Sequence, residues 1–262
     1  MATFGRDEDL HEAEFFRANL TGARFERSSL REARVVASDL SGLVVRGSDV
    51  QNVEIDSPWL ADGDFFRVNG LDVVPLIEAE LDRRFPGRDL RRAEDPAGLA
   101  SAWEALQNTW AATLHRAGTM PEGTVDESVD GEWSFTQTLR HLVMATDTWL
   151  GKAVLGLEQP YHPLGLANES AADDGLDMSL FTTGTPTYAE VLAAREDRTT
   201  MVGDFIAQVT PGILDEARSN PWAPQYPETV RSCLHTILEE EWEHHRYAVR
   251  DLDALEAAAR PT

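Results

Sequence analysis

From His11 to Phe65 the chain keeps a beat of five. Phe15, Leu20, Phe25, Leu30, Val35, Leu40, Val45, Val50, Ile55, Leu60 and Phe65 fill every fifth place, and the residue two places earlier is mostly small, as in Ala13, Ala18, Ala23, Ser28, Ala33 and Ser38. Five matches neither the 3.6 of a helix nor the 2 of a strand, so ordinary amphipathic elements are excluded. A block of five can bury one large and one small side chain only if the chain keeps turning in one sense and stacks coil on coil. That is a solenoid, in which neighbouring coils supply the burial. Beyond Leu40 the small position is taken by Leu43, Val53 and Pro58, so the last coil is expected to be irregular or capping.

From about residue 72 the beat stops and helical spacings begin. Leu76, Ile77, Leu81 and Phe85 predict a short connector helix ended by Pro86-Gly87. Asp95-Pro96 is an N-cap followed by a first-turn proline, opening a helix through Leu99, Trp103, Leu106, Trp110 and Leu114 that Gly118 can end. Ser134 or its neighbouring turn caps a helix carrying Phe135, Leu139, Leu142 and Trp149 to about Leu155. Another runs from about Tyr188 to Val209, and a last one from near Glu228 to about Ala258. Residues 157 to 186 lack any period, and connections of that length are often functional, with Tyr161 and His162 as possible substrate contacts. Four long helices with such connections predict an antiparallel four-helix bundle, whose sites form from inward-facing side chains. The fold class expected is therefore α+β in two domains: residues 1–70 a repeat domain, 71–94 a connector, and 95–262 the bundle.

The net charge of −23 removes the positive footprint that nucleic-acid phosphates or anionic lipid would need. Residues 1 to 70 carry 13 acids and 8 arginines, so most of the acidity lies outside the repeats. Cys233 is the only cysteine, which excludes an intramolecular disulfide and a Cys-rich zinc site and suits a reducing cytoplasm. Neither a signal peptide nor a membrane span is expected, since no basic leader and no run of about 18 apolar residues is found.

The stretch "EEEWEHHRYAV", residues 239 to 249, concentrates the candidate chemistry. At 100° per residue, Val230, Leu234, Ile237, Ala248, Leu252 and Leu255 share one face, Glu241 points along it, and His245 lies about 40° away. Glu240 and His244 have the same i, i+4 spacing but stand about 100° and 60° round. The apolar stripe therefore favours Glu241 and His245. A glutamate on such a stripe needs a partner, which leaves two readings open: a buried network in which Glu241 and His245 pair with each other or with an arginine from another helix, or a metal ion completed by His141 of "WSFTQTLRHLV". Two nitrogens and a carboxylate would leave an open metal position, suited to catalysis. Cys233 stands about 80° from the stripe and is no candidate nucleophile.

The five-residue blocks resemble the pentapeptide-repeat family, which implies a short right-handed quadrilateral β-helix. "WSFTQTLRHLV" and "EEEWEHHRYAVRDL" resemble the DinB-like superfamily of metal-binding four-helix bundles. Common members pair an inner-helix histidine with His-x-x-x-His. Here Glu241-x-x-x-His245 gives a His/Glu/His set similar to that of mycothiol-dependent maleylpyruvate isomerase. The resemblance implies a metal-dependent thiol S-transferase or isomerase, with His141, Glu241 and His245 on zinc, nickel or iron being alternatives, and a low-molecular-weight thiol such as mycothiol entering the open position. The competing expectation is a non-enzymatic interaction or stress-related metal-binding protein whose repeat domain docks or forms a homodimer; substrate, metal and thiol are left open by the residues.

Overall fold

A computed structural model describes residues 4, 8–168 and 171–259. The chain divides into two compact units, Met1–Ile55 and Asp56–Thr262. The break precedes residue 70, because Asp56 already belongs to the helical unit: its carboxylate oxygens accept from Arg246 (2.6 and 2.9 Å) and Arg250 (3.3 Å) near the chain's end.

In the first unit the beat of five is a beat of the backbone. Positive φ returns at Glu12, Arg17, Gly22, Arg27, Glu32, Ala37, Gly42, Gly47 and Asn52. At every second block the amide of Ala13, Ala23, Ala33, Leu43 or Val53 closes a turn onto the carbonyl of Leu10, Leu20, Leu30, Leu40 or Val50. Asp9, Asn19, Asp39 and Asp49 brace four of these turns by accepting the amide two residues on. No strand occurs among the described residues of this unit, so the β-helix expected from the resemblance is not seen as sheet. The stripe is also not buried: of Phe15, Leu20, Phe25, Leu30, Leu40, Val50 and Ile55, the least exposed is Leu20 at 45%. The physical reason lies in the architecture. A period of five fixes which side chains share a face, and covering that face takes coils packed against it.

The helical unit begins with a hairpin, β1 (Arg67–Val68) and β2 (Leu71–Asp72), turned by Asn69 and Gly70 at φ of 50° and 83°. Asn-Gly suits this because both central residues of such a turn need φ > 0. Helix α1 (Val74–Arg84) follows and stops before Gly87, whose φ is 94°. A Cβ at Gly87 would meet the Ala105 side chain at 2.7 Å, so glycine is required on both counts. Helix α2 (Pro96–Thr119) starts where Asp95 accepts the Gly98 amide at 2.8 Å. Helix α3 (Phe135–Thr146) opens on a capping box between Ser134 and Gln137 and continues as a π-helical stretch, Asp147–Val154. Helix α4 (Tyr188–Gln208) has its own capping box, Thr187 with Glu190. A short α5 (Pro211–Leu214) and an antiparallel hairpin, β3 (Ala217–Ser219) with β4 (Pro227–Thr229), lead into α6 (Val230–Ala259).

Helix α3 packs on α4 and α6, and α2 packs on the same two, so the four long helices form a closed ring. Its interior holds Leu99, Leu106 and Trp110 of α2, Leu139 and Leu142 of α3, Val191 and Val202 of α4, and Leu234, Ile237 and Leu252 of α6. The long connection after α3 is packed rather than loose: Ala167, Ala171 and Phe181 form a second small core with Met144. Among the described residues no helix is long and apolar enough to cross a membrane.

Candidate metal centre

Helix α6 touches both α3 and α2, so it has two inward flanks and a centre line between them. Glu241 lies on the centre line and is 1% exposed. Both its carboxylate oxygens accept from Arg195 Nη2 of α4, across the bundle. Burial pushes the Glu241 carboxyl above the ordinary glutamate range, while Arg195 pulls against it. His245 turns toward α2, where its Nε2 sits 2.8 Å from Thr113 Oγ1 and its ring meets Trp110 edge-on at 5.0 Å. Burial lowers its pKa to about 4, so it is neutral.

The structure brings together a trio other than the expected set. His141 is brought together with Glu240 and His244, each offering one ligand atom, all within 4.8 Å of one another. Glu241 and His245 are held elsewhere by their own partners. The arginine network weighed as the alternative for Glu241 is what the bundle contains. The flank of α6 that faces α3 is about 100° from its centre line, and that rotation carries Glu240 and His244, rather than their neighbours, to His141.

His141 Nε2 lies 3.5 Å from Glu240 Oε2. Its Nδ1 donates to the Leu166 carbonyl at 3.1 Å, which fixes the ring with Nε2 toward the carboxylate. His244 Nδ1 donates to the Glu240 carbonyl one turn back, at 2.8 Å. Trp133, from the turn before the α3 cap, lies 4.7 Å from the His141 ring and stacks on His244 at 6.3 Å, walling the trio on one side. Burial, then His141, lowers His244 to about 4 and keeps it neutral. Burial works to raise Glu240, but the hydrogen bond from His141 and the neighbouring imidazoles outweigh it, so the carboxyl falls below its usual range.

This donor set fits a divalent ion. Two imidazoles and a carboxylate are borderline ligands of the kind zinc takes, and ligands about 2.1 Å from a tetrahedral ion stand about 3.4 Å apart, close to the His141–Glu240 separation. Three protein ligands leave a coordination position open. The side chains of His141 and His244 are 10% and 15% exposed and that of Glu240 is 29% exposed, so the trio is reachable from solvent. Cys233, by contrast, is fully buried, and burial raises its thiol to about 12, which removes it as a nucleophile. Tyr161 and His162 serve the packing of the long connection: Tyr161 stands against Phe181, and the His162 amide is bonded to Asp147.

Two signals in the sequence point to this placement of α6. Arg195 falls four residues after Val191 on the buried face of α4, which announces a carboxylate opposite, and Glu241 is that carboxylate. Leu238 and Trp242 broaden the buried face of α6 toward a second neighbour, so the centre of the stripe is not where α3 meets it.

Comparison with known proteins agrees with this organisation. A family model for pentapeptide repeats matches residues 9–47 in 8 copies. No curated protein and no solved structure matches the chain. The model for the DinB superfamily matches residues 105–248, more than half of the chain, and includes His141, Glu240 and His244. On that match the chain belongs to the DinB superfamily, a family of metal-binding proteins.

Proposed function

We propose that the helical unit is a metal-dependent enzyme, an S-transferase or isomerase that uses a low-molecular-weight thiol of the mycothiol type. The observation that carries this reading is the convergence of His141, Glu240 and His244 on one partly exposed point with a coordination position to spare. His141, Glu240 and His244 would hold one divalent ion, zinc first by ligand type, with nickel and iron sharing the preference. A bound ion lowers the pKa of a coordinating thiol and supplies a thiolate nucleophile at neutral pH. The chain's residues do the rest. Glu240 stays ionised and His244 neutral, so neither proton competes for the site. Leu166 fixes the His141 ring, and Trp133 covers one side of the trio and limits the approach. An external thiol is needed in this scheme because Cys233 is sealed in the core.

The test is cobalt substitution of the full chain followed by addition of a small thiol. A thiolate-to-cobalt charge-transfer band that appears with the thiol and is absent in Glu240→Ala supports the reading. A cobalt-loaded protein whose spectrum ignores thiols would remove the thiol chemistry and leave a metal-binding bundle of another activity.

A second reading is favoured by the exposed fifth-place stripe of the first unit, from Phe15 to Ile55. Stacked as quadrilateral β-helix coils, the repeats would cover that stripe within one chain or against a second copy, giving a docking or homodimerisation module in a cytoplasmic protein. Sedimentation of the full chain against a chain lacking residues 1–55 tests it; an unchanged oligomeric state would rule out dimerisation through the repeats.

A further inference from the structure

Asp147 is fully buried at the start of the π-helical stretch and takes no part in the chemistry above. Its Oδ2 accepts the His162 amide at 2.7 Å, and its Oδ1 accepts from Arg198 Nε of α4. From His162 onward the connection is zipped along α3. Arg140 Nε donates to the Leu164 carbonyl at 2.9 Å, the Leu166 amide donates to the Arg140 carbonyl at 3.1 Å, and the Leu166 carbonyl receives His141 Nδ1–H. On its other side the Pro163 carbonyl accepts the Thr182 amide at 2.8 Å. A continuous run of hydrogen bonds thus leads from a buried carboxylate, through five residues of an otherwise irregular segment, to the imidazole of His141.

Packing alone could hold such a segment, so a buried carboxylate needs a reason. An ionised acid at this depth is costly, and burial raises the Asp147 carboxyl to about 6 against the His162 amide and Arg198. What the carboxylate adds over an apolar anchor is direction: it fixes the His162 amide and hence the register of residues 162–166 along α3. A one-residue slip would turn the Leu166 carbonyl away from His141. We infer that Asp147, with Arg198, is a positioning residue for the metal centre, setting the segment whose Leu166 carbonyl aims His141 Nε2 at Glu240. The inference rests on the metal-centre reading above. Partners that orient a ligating histidine commonly govern metal affinity even though they touch no metal.

The test uses the full chain, zinc alone as the probe, and two variants. Asp147→Ala removes the anchor from the bundle side. His162→Pro deletes the donated N–H from the loop side together with the imidazole Nδ1 that accepts the Leu164 amide at 3.1 Å, so His162→Ala, which loses the imidazole alone, is its control, and the difference between the two decides the matter if Asp147→Ala does not fold. Zinc affinity is measured by competition with a chromophoric chelator. Separately, the His141 Nδ1–H proton is followed by NMR in the metal-free, histidine-labelled protein, its resonance assigned with His141→Gln. The expected result is zinc binding weaker by about 10- to 100-fold and a shifted or lost Nδ1–H resonance, with helix content unchanged. A merely structural anchor would lower stability without moving that resonance. Zinc affinity within twofold of wild type, or an unmoved resonance, overturns the inference. If the wild-type chain takes up no zinc, the metal-centre reading fails, and the resonance alone still decides whether Asp147 positions His141.

Discussion

The Arg195–Glu241 pair gives the sharpest energetic prediction. Arg195→Met keeps an unbranched chain of similar length but removes the cation, leaving a glutamate that is 1% exposed without its charge partner. Breaking a buried pair by deleting one member costs about 3–5 kcal/mol. The carboxyl can limit the loss by taking up a proton. pH 7 lies about 2.5 units above the ordinary glutamate pKa of 4.5, so neutralising it there costs about 3.4 kcal/mol. The expected loss at pH 7 is therefore about 3–4 kcal/mol. Its sign with pH follows from the direction of the shift: a carboxyl raised in the folded state stabilises fully below its unfolded pKa, and that stability is lost as pH rises through the folded one. The deficit relative to wild type should shrink to about 1 kcal/mol at pH 5. Arg195→Met/Glu241→Met, which removes both charges, should lie within about 1 kcal/mol of wild type at either pH. Urea unfolding followed by tryptophan fluorescence is the assay, since all seven tryptophans lie between Trp59 and Trp242, in the helical unit. A loss under 1 kcal/mol at pH 7, or a deficit that does not shrink at pH 5, would refute the pairing.

Further outcomes follow from the same residues. Cys233 should resist alkylation in the folded protein at pH 8 and react fully in urea, because burial raises its thiol to about 12; rapid native labelling would contradict its placement. Ser134→Ala should cost about 1 kcal/mol in urea unfolding, since the Gln137 amide loses the Ser134 Oγ that accepts it while the other half of the α3 capping box, from the residue 134 amide to the Gln137 side chain, is kept. His245, held neutral at about 4 by burial, contributes stability that is present above pH 6.5 and lost as pH falls through 4, up to about 3 kcal/mol. His245→Gln should flatten the acid side of the stability profile by that share, and an unaltered profile would show that the ring titrates freely.

The parts of this molecule that follow local rules were readable in the sequence. Asp95-Pro96, Ser134-x-x-Gln137 and Thr187-x-x-Glu190 each open a helix where their chemistry requires, and the periodic leucines and tryptophans form the interior of the ring. The last helix starts two residues later than Glu228 suggested because residues 227–229 pair with Ala217–Ser219 as a strand, a tertiary choice with no local signal. On α6 the expected pair, Glu241 and His245, stands one residue along from the pair that lies beside His141. A helical wheel finds the centre of an apolar stripe, but a cluster shared between two helices forms on a flank. Which flank faces α3 depends on how α6 sits in the ring. The Arg195 side chain held that information, four residues from Val191, on a helix with no other link to the motif. In the first unit the period of five was correct as a backbone rhythm, yet periodicity states only which side chains would share a cover, not whether one is present.

The central claim is the metal ligand set, and metal content per chain tests it most directly. The full-length protein and its His141→Ala, Glu240→Ala, His244→Ala, Glu241→Gln and His245→Gln variants would each be equilibrated with zinc, desalted and analysed for the metal. The account predicts about one zinc per chain in wild type, its loss in the first three variants, and its retention in folded Glu241→Gln and His245→Gln. Zinc retained by Glu240→Ala and His244→Ala but lost from Glu241→Gln and His245→Gln would contradict it and return the site to the centre line of α6.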